Sequence, residues 1–342
     1  MDGLPEAADK AWWPQPGMKL GATFFVRRAF PWLGRYFSDR PLASTLTPGI
    51  EGIVSWGGRI PAQSAMAIAR MRRLPHWHLE DGFLRSVALG KDGGAPVSII
   101  VDDLALPVDG GRPSRLERLI AAAAGGVDGA GKQIREQMVR HKLSKYNNLP
   151  HRQPAIEPSH RRRILLVDQV HGDVSVPRAL GSRRSFDRML NDALESGTQC
   201  VVRTHPDVMA GYRRGYITER AGRTTGVVLL ADKVSVASIL DVVDEVWTVS
   251  SQVGFDALLR GIPVRCYAVP FYAGWGLTED RGGPAALPAL ARRASARPSV
   301  DQLTAAALGH YPSYRNPTSW EPMDVFTAID LLVAELARRG RA

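Results

Sequence analysis

The chain has 342 residues, with 44 lysines and arginines against 34 aspartates and glutamates, so its formal net charge is +10. This length corresponds to about two domains, each large enough to bury a core without the help of disulfides or a structural metal. Two cysteines and no long apolar run exclude a disulfide-rich secreted domain, a zinc module and an integral membrane protein.

The charge and the cysteines also bear on partners and location. Only seven of the basic residues are lysines, an arginine bias typical of GC-rich coding, so the charge alone indicates no more than an affinity for anionic partners. Cys200 and Cys266 lie in apolar, strand-like contexts, and the N-terminus has no secretory pattern. We therefore expect buried, reduced thiols and a cytoplasmic protein.

Residues 1–48 contain three tryptophans and several prolines. We interpret them as an irregular arm that ends in a basic amphipathic stretch over residues 24–37. Its arginines and aromatic rings can rest on anionic lipid, or they can pack the arm onto the next domain.

From residue 49 onward, apolar runs of strand length alternate with segments of helical length. The strands of this first half are predicted at 49–57, 75–81 and 97–103, and the helices at 61–74, 113–126 and 132–143. Together they predict a first Rossmann-like domain over residues 49–150.

Residues 147–163 are polar and rich in proline, which is typical of a linker between domains. A second alternating set follows, with strands predicted at 163–170, 199–206, 244–251 and 262–268, and helices at 185–197 and 252–261. Buried strands separated by helices favour parallel sheets. We predict a second Rossmann-like domain over 160–322, a C-terminal amphipathic helix over 323–342, and a cleft between the two domains.

The richest motif runs from Ser250 to Val264, where a strand ends and a helix starts. Unpaired amides at a helix start attract phosphate, so Ser250 and Ser251 are candidate phosphate ligands. Gly254 allows close backbone approach, and Asp256 can accept hydrogen bonds from ribose. The pattern resembles the nucleotide-sugar site of GT-B glycosyltransferases. Ordinary helix capping is the alternative.

Two further strand ends of the second half carry polar residues. Arg203 and His205 follow one strand, and a histidine at the carboxyl edge of an open α/β sheet points into the ligand crevice, where it can bind phosphate. Asp168 and Gln169 end the first strand. Asp168 can be a nucleophile, a base or a structural cap for the following loop.

Glu80 and Asp81 follow a short strand of the first half and precede Arg85 by a few residues. Acids beside a glycine suit a loop that lines a cleft, and either can perform general acid–base catalysis. The alternative is an exposed turn with a local ion pair to Arg85.

A compact aromatic–glycine loop, residues 271–276, can wall a nucleobase or a sugar through Tyr272 and Trp275, with core packing as the alternative. The acids at 102–103 and the histidines at 76 and 78 have no further ligands at suitable spacing, so we expect no metal.

Taken together, these stretches resemble the KpsC/KpsS family of capsular-polysaccharide β-Kdo transferases. The matching segments appear in family order: EDGFLRS (80–86), PVSIIVDD (96–103), PSRLERL (113–119), SKYN (144–147), LLVDQVHGDVSV (165–176), RTHP (203–206) and the run 250–280.

The resemblance implies a GT-B-like α/β fold and a retaining transferase that uses CMP-β-Kdo, without a metal or other cofactor. It implies that Asp168 is the nucleophile that forms a Kdo–enzyme adduct and that His205 binds the CMP phosphate. Glu80 is then the candidate base, with Asp81 as the less favoured neighbour. Asp256 stands where family members more usually have glutamate.

The acceptor implied is a lipid-linked or capsular glycan, at the inner face of the inner membrane, with capsule assembly proteins as further partners. One alternative keeps the fold but uses a UDP- or GDP-sugar. The other is a basic binding protein without catalysis, for nucleic acid or membrane. Because the arginines are scattered and the cleft acids are present, we expect no nucleic-acid partner.

Overall fold

Two β-sheets organise the chain, one in each half. The computed structural model describes residues 10–37, 42–88, 95–126, 129–204, 206–209, 211–230 and 232–340. The elements of the first half are β1 (Leu20–Ala22), α1 (Phe24–Ala29), α2 (Leu33–Tyr36), β2 (Leu42–Ser44), β3 (Gly52–Trp56), α3 (Ile60–Arg72), β4 (His76–Asp81), β5 (Ser98–Asp102), α4 (Arg115–Ala123) and α5 (Gly129–Arg140).

The second half begins after residues 147–162, which contain no helix or strand, as the linker prediction requires. Its elements are β6 (Arg163–Val167), α6 (Ser175–Arg178), α7 (Arg183–Glu195), β7 (Gln199–Arg203), α8 (Pro206–Met209), α9 (Thr218–Gly222), β8 (Val227–Leu230), α10 (Val236–Leu240), β9 (Glu245–Thr248), α11 (Val253–Leu259), β10 (Val264–Cys266) and β11 (Glu279–Asp280).

The last part of the chain is mostly helical. It contains a 3-10 turn (Pro284–Ala286), α12 (Leu287–Arg293), α13 (Val300–Thr304), a π-helix (Ala305–His310), β12 (Ser313–Arg315), β13 (Pro322–Met323) and α14 (Val325–Arg338). Among the described residues, no helix combines the length and the apolar character needed to cross a bilayer.

The second sheet is parallel throughout, in the order β11-β10-β9-β6-β7-β8. The first strand in sequence, β6, lies inside the sheet, with the later strands added on both sides. The order therefore reverses between β6 and β9. A crevice opens at the carboxyl ends of strands at such a reversal, and ligands of α/β proteins bind there.

The first sheet is mixed, in the order β13-β12-β5-β4-β3-β1-β2. Strands β1 to β4 pair in parallel, whereas β5 runs antiparallel to β4. The expectation of a parallel sheet fails at β5. No helix intervenes in the described residues between these two strands, and a chain that returns without a crossover helix pairs antiparallel.

The N-terminal segment is not the irregular arm that we predicted. Strands β1 and β2 extend the first sheet, and Trp13, Val26 and Tyr36 are buried in an apolar cluster on one of its faces. Strands of three residues are too short to show a periodic pattern in sequence. The packing alternative is therefore correct for this part of the segment.

The predicted domain boundary at residue 322 also differs from the structure. Ser313 pairs with Ile99, so β12 and β13 belong to the first sheet, and α14 packs against α5 and β12. The chain thus forms most of the first sheet, then the whole of the second sheet, and finally adds β12 and β13 to the first sheet.

Buried charges join the halves near this return. Glu117 of α4 accepts hydrogen bonds from the Nε atoms of Arg292 (2.5 Å) and Arg293 (2.9 Å) of α12. Across the cleft itself, Gln252 donates to the carbonyl of Phe83 (2.8 Å), and Arg178 donates to the carbonyl of Gly58 (3.0 Å). These contacts fix how the two sheets face each other.

Candidate active site

A cavity of about 280 Å³ lies between the two halves, at the carboxyl ends of β6 and β9. Polar side chains of both halves line it: Glu80, Asp81 and Lys145 from the first, and Asp168, Gln169, Asp173, Ser175, Arg203, Ser250 and Ser251 from the second. Phe83 and Phe271, whose rings stack with centroids 4.4 Å apart, form an apolar wall.

Glu80 lies near the end of β4, half-buried, and its Oε1 accepts the backbone N–H of Asp81 at 3.1 Å. Burial raises the pKa of Glu80 above the ordinary carboxyl value, an effect that Lys145 opposes and that Asp81 adds to. A carboxyl with increased proton affinity at the cavity wall suits general acid–base catalysis.

Asp81 is placed differently from its neighbour. Its Oδ1 lies 2.8 Å from the Nε of Arg85, so the predicted local ion pair exists, although the segment is not an exposed turn. A carboxylate that balances a buried guanidinium is a weaker candidate for proton transfer than Glu80.

The carboxylate of Asp168 is 4% exposed and is saturated with donors. Its Oδ1 accepts the N–H groups of Gln169 (2.8 Å) and Tyr216 (3.0 Å), and its Oδ2 accepts the N–H (2.9 Å) and the hydroxyl (2.5 Å) of Thr218. A Cβ added at Gly215 would lie 2.1 Å from Oδ2, so glycine is required there. This geometry matches the alternative of a structural cap, and the nucleophilic role remains a prediction.

A polar network surrounds Gln169 on the cavity floor. Its Oε1 accepts the N–H of Ser250 (3.0 Å), and its Nε2 donates to Ser250 Oγ (3.1 Å), Ser175 Oγ (3.3 Å) and Asp173 Oδ2 (3.4 Å). Gln169 therefore connects the loops that follow β6 and β9. Asp173 also accepts the N–H of Ser175 at 2.9 Å and is half-buried, so its carboxylate has fewer donors than that of Asp168.

The motif of Ser250, Ser251 and Gly254 packs against the side chain of Tyr272. Ser251 Oγ accepts the N–H of Val253 at 3.3 Å, which is the predicted capping alternative, and its carbonyl accepts the Tyr272 hydroxyl at 2.5 Å. A Cβ at Gly254 would lie 2.3 Å from that hydroxyl oxygen. The close approach at Gly254 is thus made by the Tyr272 side chain, and Tyr272 lines the cavity as predicted.

Two predicted donor ligands lie behind the cavity wall. Asp256 is 3% exposed, and burial raises its pKa to about 6, although Arg260 and Arg203 favour its charged form. Trp275 is 1% exposed, and its indole N–H donates to the carbonyl of Phe271 at 2.8 Å. Since neither lines the cavity, direct contacts with ribose or base are not supported, and core packing is correct for Trp275.

Arg203 lines the cavity, whereas His205 lies outside the described residues, and the phosphate roles of both stay predictions. Asp102 accepts the N–H groups of Leu104 and Ala105 and the hydroxyl of Tyr311, which makes it a structural cap. No group of three potential metal ligands occurs within the described ranges.

The cavity residues that sequence reasoning missed include Lys145, Asp173, Ser175 and Phe83. Asp173 lies in the loop that follows Asp168, so the spacing of two acids after one strand was an available signal. Lys145 lies far from the other site residues in sequence, between a helix and the linker, and only the fold places it beside Glu80.

Residues 51–314 match a family model described as capsule polysaccharide biosynthesis protein. Among curated relatives, the capsule polysaccharide modification protein LipA of Neisseria meningitidis serogroup A is 38% identical, with 85% of this chain and 44% of LipA covered. The lipopolysaccharide-processing protein LpsZ of Rhizobium meliloti is 34% identical, with 83% of this chain and 68% of LpsZ covered. The chain spans less than half the length of LipA.

Among solved structures, KpsC of Thermosulfurimonas dismutans, described as a β-Kdo 2,4 transferase, is 34% identical with a TM-score of 0.83, covering 93% of this chain and 98% of that chain. A second chain of that protein, described as a β-Kdo 2,7 transferase, is 22% identical with a TM-score of 0.66, covering 93% of this chain and 99% of that chain. The α/β fold of two facing units is shared with both.

Replacing Glu80 with Gln removes the charge and keeps the shape. Because burial raises the pKa of Glu80 in the folded state, ionising it costs stability above that pKa. We expect Glu80→Gln to raise the Tm near neutral pH, and the gain to disappear below the ordinary carboxyl value of 4.5, where both states are protonated. Thermal unfolding across a pH series measures this.

Asp81→Asn is the matched control. It removes the 2.8 Å ion pair between the Asp81 carboxylate and the buried Arg85 guanidinium, so we expect it to lower the Tm near neutral pH. Equal Tm values for Glu80→Gln and wild type at neutral pH would contradict the raised pKa.

Proposed function

Because the chain belongs to the capsule polysaccharide biosynthesis family, as its KpsC-type motifs predict, we propose that it is a retaining β-Kdo transferase. The donor is CMP-β-Kdo and the acceptor is a lipid-linked or capsular glycan. The observation that carries the proposal is the cavity at the β6/β9 reversal, where Glu80 of one half faces Asp168 and Asp173 of the other.

Carboxylates from both sides of a cleft fit a double displacement, the logic that retaining glycosidases use. A carboxylate of the second half attacks the anomeric carbon of Kdo, and the bond to the phosphate breaks as CMP leaves with the electron pair. The acceptor hydroxyl then attacks the same carbon, Glu80 takes its proton, and the enzyme carboxylate is released. The raised pKa of Glu80 favours this proton transfer.

The two carboxylates of the second half differ in their freedom to attack. Either oxygen of Asp168 must give up hydrogen bonds from the 216–218 backbone or Thr218 before it can form a bond. Asp173 is half-buried and lines the cavity, and among the described residues it accepts hydrogen bonds only from the Ser175 N–H and the Gln169 amide. On this basis the proposal places the nucleophile at Asp173 and gives Asp168, the nucleophile expected from the sequence, the role of a positioning residue.

Amide substitutions separate the two roles. We expect Asp173→Asn to abolish the Kdo–enzyme adduct and to reduce turnover by at least about a thousandfold, as loss of a nucleophile does. Asp168→Asn replaces one acceptor oxygen with an NH2 group that faces backbone N–H donors. It should therefore lower the free energy of unfolding by about 1–3 kcal/mol while an adduct still forms. Intact-protein mass after mixing with CMP-Kdo, together with urea unfolding, measures both.

An adduct on Asp173→Asn that disappears in Asp168→Asn would restore Asp168 as the nucleophile. Ser175→Ala is the matched control, because it changes a neighbour of Asp173 in the same loop without removing a carboxylate. We expect it to retain the adduct.

The donor base is tested by thermal shift with CMP, UMP, UDP and GDP. A ligand that binds only the folded state stabilises it by about 2.7 kcal/mol at a hundred times its Kd. We expect a shift with CMP alone, reduced in His205→Ala, because the family resemblance implies that His205 binds the CMP phosphate. A shift with UDP or GDP would support a glycosyltransferase that uses a UDP- or GDP-sugar as its donor. No shift with any nucleotide would favour the alternative of a basic binding protein without catalysis.

We also propose that the protein works at the cytoplasmic membrane surface. Phe24 and Phe25 of α1 are 71% and 56% exposed and lie beside the exposed Arg27 and Arg28. Exposed aromatic rings next to cations suit an anionic bilayer. Contacts with capsule assembly proteins remain a prediction.

Co-sedimentation with phosphatidylglycerol vesicles tests this surface. We expect Phe24→Ser/Phe25→Ser to reduce binding severalfold, because two rings no longer enter the lipid. Leu287→Ser is the control, since that residue is 59% exposed in the other half. Equal binding of both variants would contradict the assignment.

A further inference from the structure

A second concave surface lies in the second half, outside the candidate active site. It has a volume of about 650 Å³ and is formed by the loop before α9, by α9 itself and by the start of α7. We call it the basic groove, because five arginines and a histidine line it: His171, Arg183, Arg213, Arg214, Arg220 and Arg223. All six are exposed.

The positive charge of the basic groove is only partly balanced. Arg183 and Arg220 share Asp187, each at 3.8 Å, and Arg223 pairs with Glu219 at 2.8 Å. Among the described residues, no carboxylate lies within ion-pair distance of Arg213 or Arg214. Two adjacent guanidinium groups that no described carboxylate balances suit an anionic ligand, and arginine binds carboxylates through paired hydrogen bonds.

The basic groove shares a wall with the active-site cavity. The N–H of His171 donates to the carbonyl of Arg214 at 2.7 Å, and Val170 bridges to Gly215. Thr218 lines the groove and donates to Asp168, which lines the cavity. The hydrogen bond between Thr218 and Asp168 therefore places the groove directly beside the transfer site.

We propose, on the basis of the transferase function proposed above, that the basic groove binds a carboxylate-bearing saccharide as the acceptor. Its carboxylates contact Arg213 and Arg214, and its terminal hydroxyl reaches the cavity near Asp168. Its concave shape and its place beside the cavity favour a saccharide over a lipid surface, for which the exposed phenylalanines lie in the other half.

The first experiment is a calorimetric titration of the full chain with a tetrasaccharide of galacturonic acid and, separately, with neutral maltotetraose. We expect the acidic saccharide alone to bind, more weakly as salt is raised, because the contacts are electrostatic. Binding of both saccharides with equal affinity, or of neither, would overturn the proposal.

Variants locate the binding. We expect Arg213→Gln/Arg214→Gln to weaken binding of the acidic tetrasaccharide by at least about tenfold, since two charge-assisted contacts are lost. Arg152→Gln/Arg161→Gln is the matched control, because these exposed arginines lie in the linker, and it should change affinity by less than about twofold. Equal effects of the two pairs would contradict the groove.

The donor measurement keeps this inference separate from the proposed function. A CMP shift that is retained in Arg213→Gln/Arg214→Gln, with unchanged saccharide binding, would overturn the groove and leave the donor site standing. Groove-dependent saccharide binding without any CMP shift would support the groove and contradict the donor. Phosphatidylglycerol vesicles that bind through Arg213 and Arg214, in place of the saccharide, would overturn the proposed ligand.

Discussion

The carboxylate of Asp168 holds together the part of the molecule on which both concave surfaces depend. It ends β6, and its oxygens accept hydrogen bonds from the backbone of residues 216–218 and from the Thr218 hydroxyl. A buried carboxylate is far more stable when several N–H groups donate to it than when none does, because each hydrogen bond compensates for lost solvation. The loop thus fixed lines the basic groove, whereas Asp168 itself lines the cavity, so this interaction holds the two concave surfaces next to each other.

A second constraint sets the distance between the halves. Glu80 belongs to the first sheet and the remaining polar groups of the cavity to the second, so acid–base chemistry requires a fixed relation between the sheets. Glu117 with Arg292 and Arg293, the return of β12 to the first sheet, and the Gln252–Phe83 contact supply it. One apolar cluster that contains Ile134 and Val246 continues the core across the boundary.

The predictions that depend on local pattern agree with the structure, whereas several that depend on strand pairing or on side-chain packing do not. The strands at β6, β7 and β9 and the helix α11 were readable from apolar runs and their polar ends. The antiparallel β5 and the three-residue β1 and β2 were not, because pairing direction is set by partners distant in sequence. Asp256 and Trp275 were expected in the cavity since they follow a strand end, but whether a residue near a strand end faces the crevice or the core depends on packing. The sequence motifs therefore predict the position of the cavity more accurately than they predict which side chains line it.

The return of the chain has a consequence for synthesis. The first sheet contains both Leu20 and Met323, so it cannot be completed until the chain has been synthesised through residue 323. The second sheet extends only from Arg163 to Asp280 and can pair its strands earlier. Until β12 arrives, the edge of β5 has unpaired backbone groups, and an exposed strand edge invites pairing with other chains. The nascent chain thus carries an aggregation hazard at the edge of β5 until β12 has been synthesised.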